Sequence, residues 1–142
     1  MDTLKFDWLT TSHVPIDTEP CIEAGAHLVS ERDGYAHHGI YAGDGLVIHY
    51  GGFHHSARRC PVECIPLHRF AAREDIRVQA EPDAVYTGMA VVERARLRVG
   101  EDRYRLLKNN CEHFCSWCVR GAGHSEQVCR GLRSPWIGIR AL

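Results

Sequence analysis

No apolar run in this 142-residue chain approaches the ~18 residues that a membrane-spanning helix needs; the longest lie around 46–50 and 89–92. The N-terminus, Met1-Asp2-Thr3-Leu4-Lys5-Phe6-Asp7, has no basic stretch leading into an apolar segment, so no secretory signal is predicted. Net charge is nearly absent as well, at −1 from 17 basic and 18 acidic residues. That balance gives no electrostatic reason to expect nucleic acid or an anionic membrane as the main partner. Lysine is scarce: Lys5 and Lys108 stand alone among arginines. No repeat, charge run or low-complexity tract interrupts the chain. What is present is globular: 44% hydrophobic and 25% charged residues argue against disorder. The length fits one domain, 1–142, able to bury a core without disulfides or metal. The seven cysteines are odd in number and lack a secretory context. They read as reduced thiols of a cytoplasmic protein.

Residues 1–22 read as irregular, punctuated by Pro15 and Pro20. A short strand is predicted over 26–30. Residues 36–42 and 46–50 are β-prone runs joined by Gly43-Asp44-Gly45, a hairpin signal. Further strands are expected over 62–67 and 76–80, with 70–72 between them. Residues 83–100 fit a helix stopped by Gly100, residues 104–107 a short strand, and a last helix opens at Asn109 and runs to Gly121. A β-rich block followed by helices is an α+β arrangement, with an antiparallel sheet packed against helices.

Two hairpin histidines and one cysteine carry the candidate chemistry. With a two-residue Asp44-Gly45 turn, positions i and 89−i face each other, and His38 shares the face of His49. With a three-residue loop the sum falls to 88, and His37 lies diagonally across from His49. Local turn chemistry leaves both open. Asn109-Asn110-Cys111-Glu112-His113-Phe114 opens a helix, with Asn109 as cap and Glu112 as its capping-box partner. Cys111 then falls in the first turn, where free N–H groups and the helix dipole favour a thiolate. Cys111, Phe114, Cys115 and Cys118 follow one helical face, so Cys111 is expected toward the core side, where an imidazole could meet it. Cys115 and Cys118 read as packing residues on that stripe. The competing zinc reading takes Cys60, Cys64, Cys115 and Cys118, with His54 and His55. It suffers because a two-residue spacing inside a continuous helix is unusual for a structural site.

These motifs resemble the lecithin:retinol acyltransferase (LRAT) domain family. The likeness rests on the run from His37-His38-Gly39-Ile40-Tyr41 through Gly43-Asp44-Gly45 to His49-Tyr50, on Asn110-Cys111-Glu112-His113-Phe114, and on Ser125-Glu126-Gln127-Val128. It extends over roughly 24–128. The resemblance implies a circularly permuted papain-like fold, related to the NlpC-type peptidases, in which the histidines precede the cysteine. It implies Cys111 as nucleophile, His37 as base, and His49 as the residue that orients the base, which selects His37 over His38. It further implies lipid-ester chemistry through a thioester acyl-enzyme, ending in acyl transfer or phospholipase-like hydrolysis. Two features depart from the family pattern. Ala26-His27 stands where a Gly-Asp pair is common, and the chain ends at Leu142 without the C-terminal span of the better-known animal members. A compact soluble member of microbial type is the nearer comparison.

The first expectation is therefore a cysteine-dependent acyltransferase or acyl hydrolase that uses no metal and no organic cofactor. Its partner is a lipid or other acyl ester; nucleic acid is not expected, and contact with a membrane surface remains compatible with the reading. A peptidase or amidase built on the same three residues is the second expectation. A non-enzymatic interaction domain is the third, and the joint presence of Cys111, His37 and His49 counts against it.

Overall fold

The computed structural model describes residues 12–14, 22–52, 60–107, 109–125 and 128. Six strands form one antiparallel sheet: β1 (Ser12–Val14), β2 (His27–Arg32), β3 (Tyr35–Gly43), β4 (Leu46–Gly52), β5 (Cys60–Pro66) and β6 (Ile76–Gln79). Their order across the sheet is β1-β6-β2-β3-β4-β5. Three helices complete the described architecture: α1 (Leu67–Ala71), α2 (Met89–Leu97) and α3 (Cys111–Arg120). The architecture is the α+β one expected, with the sheet packed against the helix that carries Cys111.

The alternation of β3 and β4 divides the core in two, because successive strand side chains point to opposite faces. Ile40, Ala42, Ile48 and Tyr50 join α2 and α3 residues Val91, Val92, Phe114, Cys115 and Cys118 on one face. Tyr41 and Val47 join Leu28, Ile65, Leu67, Phe70 and Ile76 on the other. Helix α1 lies on this second face in the passage from β5 to β6, where Phe70 comes so close that a Cβ at Gly39 would stand 2.7 Å from its ring. Arg32 donates to the carbonyls of Phe70 and Ala71 and so closes the end of α1.

Several boundaries differ from the sequence reading. Helix α2 spans Met89–Leu97 rather than 83–100. The N–H groups of Val85 and Tyr86 both go to the carbonyl of Val119, at 2.9 Å each, which ties that stretch to α3 in place of a helical turn. Residues 104–107 form no strand; only the bridge Arg105↔Asn109 is present. Two short elements lay below the sequence signal, α1 and the three-residue β1, which pairs with β6.

The hairpin reaches the second of the two registers by an unexpected route. Asp44 and Gly45 both have positive φ, 54° and 74°, the requirement of a two-residue primed turn. An irregularity between Tyr41 and Gly43 then shifts the pairing, giving Gly39↔His49 and Ile40↔Ile48. One extra residue in β3 thus restores the diagonal relation of His37 and His49.

Candidate active site

Helix α3 is capped one residue later than expected. The Asn110 side chain accepts from the His113 N–H at 2.9 Å, and His113 Nδ1 accepts from the Asn110 N–H at 3.2 Å. Asn109 is engaged elsewhere: its amide donates to Glu101 and to the Arg103 carbonyl, and its oxygen accepts from Arg98. Cys111 therefore occupies the first helical position. It is 4% exposed and belongs to the core face formed by α2 and α3.

Strand geometry explains what the sulfur meets. N–H groups along a strand alternate between its two neighbours. The Tyr41 N–H goes to Ala26, on the β2 side, so the His38 N–H points toward β4. The β3–β4 pairing stops at Gly39↔His49, and the Cys111 sulfur lies beside the His38 N–H instead. The thiol thus borders the peptide that joins His37 to His38. Burial pushes it up to about 11, and the Glu112 carboxylate adds to this. The N–H groups of His38, Glu112 and Cys111 act in the opposite sense and are outweighed. The thiolate expected from the helix start is therefore not the resting form at neutral pH. Tyr104, whose phenol lies beside Cys111, is pushed up mainly by its own burial.

His37 and His49 are together on the α1 side of the sheet. His37 Nε2 is 2.6 Å from His49 Nδ1, and His49 Nε2 is 3.0 Å from Glu63 Oε1. Both imidazoles are buried, at 1% and 0% exposure, and both pack on the Phe70 ring. With a carboxylate at one end, the protons have one direction. His49 donates from Nε2 to Glu63, so its Nδ1 accepts from His37 Nε2–H, and His37 Nδ1 is left with its lone pair. Glu63 was missed in the sequence. Its only signal was its position on β5 opposite His49, which required the β4–β5 register.

Choosing His37 over His38 carries the expectation that His37 and His49 face the Cys111 sulfur and that His38 points away; instead His37 and His49 pack on Phe70, across the sheet from α3, and His38 is the one on the α3 side. There it belongs to a second chain of polar groups. His38 Nδ1 is 2.7 Å from His27 Nε2, and His27 Nδ1 is 2.6 Å from Glu81. His38 Nε2 is 4.0 Å from Glu112, which accepts from the Ser125 hydroxyl at 2.6 Å. Burial, then the charge of His27, pushes His38 down to about 3, so it is neutral. Burial raises the Glu81 carboxyl, but hydrogen bonds and charge from His27 and Arg120 outweigh it and hold it below the usual range.

The residues of the zinc reading are separated. Cys115 and Cys118 are in the core, Cys60 and Cys64 lie on β5, and His54 and His55 fall outside the described residues. Among the described residues no three His, Cys, Asp or Glu side chains are arranged to hold a metal ion. No described helix is long and apolar enough to cross a membrane.

An antiparallel sheet whose histidines precede a cysteine at the start of a packed helix defines a permuted papain-like protein. The lecithin retinol acyltransferase family profile matches residues 20–124, and the chain belongs to that family. It is 33% identical over 126 residues to phospholipase A and acyltransferase 2 of Homo sapiens, covering 78% of this chain and 76% of that protein. Mouse phospholipase A and acyltransferase 3 is 31% identical over 130 residues, covering 78% and 80%. Human phospholipase A and acyltransferase 1 is 29% identical over 125 residues, covering 71% and 69%.

Proposed function

We propose that this chain is a lipid acyltransferase or phospholipase-like acyl hydrolase that works through a thioester on Cys111. The observation that carries the reading is the position of the Cys111 sulfur against the His37–His38 peptide, with the Glu63–His49 pair making Nδ1 the unprotonated nitrogen of His37. The relatives' names, phospholipase A and acyltransferase, supply the substrate class.

Because the buried thiol is protonated at rest, proton removal accompanies attack. His37 takes the proton as Cys111 Sγ bonds to the ester carbonyl carbon; because its ring packs on Phe70, on the face of the sheet opposite α3, the transfer runs past the end of the β3–β4 pairing, where the sulfur borders the His37–His38 peptide. The N–H groups of Cys111 and Glu112, which act on the sulfur in the resting site, serve as the donors for the developing oxyanion. When the intermediate collapses, the carbon–oxygen bond breaks and the imidazolium returns the proton to the leaving alcohol. An incoming hydroxyl, amine or water then gives its proton to His37 as it attacks the thioester, and the thiolate leaves and is reprotonated. His49 acts as a positioning residue, holding the His37 ring and tautomer.

Intact-mass measurement after incubation with phospholipid and short-chain esters tests the reading. Wild type should gain one acyl mass, sensitive to hydroxylamine, and Cys111→Ala should remain folded, gain none and lose ester turnover. Cleavage of peptide-type amides without any turnover of esters would replace this reading with the peptidase one.

A further inference from the structure

Leu97, Val99 and Leu106 are 79%, 48% and 72% exposed. Single exposed aliphatic residues are ordinary on a protein surface. These three belong to one segment that the structure binds together. Arg98 pairs with Glu101 at 2.7 Å and reaches Asn109 at 3.0 Å. Asn109 in turn donates to the Arg103 carbonyl at 2.9 Å. The segment is also bound to the sheet, by Gly100 N–H to the Val62 carbonyl and Val62 N–H to the Glu101 carbonyl, both at 2.8 Å. The apolar tips are therefore held out on an ordered scaffold. Arg96, Arg103 and Arg105 of the same segment are exposed, and none forms an ion pair with another described residue. Asp102 is the one exposed acid within 96–106.

The same segment leads into the site. The Leu106 carbonyl accepts from Asn110, the cap of α3, at 2.9 Å, and Tyr104 lies beside Cys111. We propose that segment 96–106 is a docking edge for an anionic phospholipid surface. Leu97, Val99 and Leu106 enter the acyl–headgroup boundary, and Arg96, Arg103 and Arg105 meet the phosphates. The arginines argue against a second copy of this chain on the same edge, since a two-fold contact would set them against one another. The inference rests on the lipid-ester reading only for its purpose, which is to bring an ester in the bilayer to Cys111.

Docking is tested by sedimentation of the Cys111→Ala chain with phosphatidylcholine vesicles, with and without about a third phosphatidylglycerol. The chain should sediment with the anionic vesicles. Adding Leu97→Asp and Leu106→Asp should lower the partition by about tenfold or more. Arg103→Glu with Arg105→Glu should remove the preference for phosphatidylglycerol. In the chain with Cys111 intact, the two leucine changes should leave turnover of a soluble short-chain ester within about twofold of wild type, because neither side chain reaches the reacting groups. Equal sedimentation of the leucine variant and its parent would overturn the proposal. So would failure of the parent chain to bind anionic vesicles, or a dimer in gel filtration that the leucine changes dissolve. Because sedimentation is read without turnover, a wild type that docks yet cleaves no ester overturns the enzymatic reading and leaves the docking edge in place.

Discussion

Replacing Glu63 by Gln isolates the direction of the proton chain from its geometry. The carboxylate can only accept from His49 Nε2–H, which fixes His49 Nδ1 as acceptor and makes Nδ1 the unprotonated nitrogen of His37. A Gln amide fits the same space but can also present its NH2 group. His49 Nε2 would then accept, Nδ1–H would donate to His37 Nε2, and the remaining proton of His37 would sit on Nδ1, where the thiol must deliver its own. Loss of the corresponding carboxylate in a serine triad costs about 10⁴ in kcat. Two features of this site reduce the figure. Glu63 acts through a second imidazole, and its side chain is 34% exposed, so water competes for it. We expect Glu63→Gln to lower kcat on a soluble ester by about 10–100-fold, with KM changed by less than about threefold. Glu63→Ala should cost less, since His49 keeps its choice of tautomer. Unfolding temperatures within a few degrees of wild type would show the fold intact. A Glu63→Gln enzyme within twofold of wild type from pH 6 to 9 would refute the relay, and with it the assignment of His37 Nδ1 as the basic atom.

Three further outcomes follow from the packing. His38 is pushed down to about 3, so the unfolded chain binds the extra proton between that value and the ordinary 6.5. Stability should therefore be full above 6.5 and fall by a few kcal/mol as pH drops toward 3; His38→Gln should flatten this slope in urea titrations, and an unchanged slope would count against a neutral buried His38. Gly39→Ala places a Cβ 2.6 Å from Val47 and 2.7 Å from Phe70, directly opposite His49. It should cost about 1–3 kcal/mol in urea midpoint and also reduce turnover. Asn110→Ala removes the α3 cap beside Cys111 and should cost about 1–2 kcal/mol; an unchanged midpoint would mean that His113 caps the helix alone.

The sequence alone determined the elements whose signals are local. The Gly43-Asp44-Gly45 hairpin was legible because only a few turn types tolerate positive φ there, and the alternation beside it required two buried faces. Cys111 at a helix start was legible from capping chemistry and the apolar spacing of Phe114, Cys115 and Cys118. Which asparagine caps α3 was not, because both are good caps. Only the folded chain engages Asn109 with Arg98, Glu101 and Arg103 and so frees Asn110 for the helix. The hairpin register was undecided for a similar reason. A single extra residue in β3 converts one register into the other, and its energy depends on how Tyr41 and Ala42 pack on opposite faces. Glu63, Glu81 and His27 are distant in sequence from the histidines they meet. Neither their spacing nor their residue type marked them, because hydrogen-bonded partners of this kind are chosen by strand pairing and by the folding of residues 81–88 onto α3. The state of the Cys111 thiol was also decided in three dimensions. The helix start favours the thiolate, but the sheet and α2 exclude water from the sulfur, and removing a charge from water costs more than the few N–H groups at the helix start return.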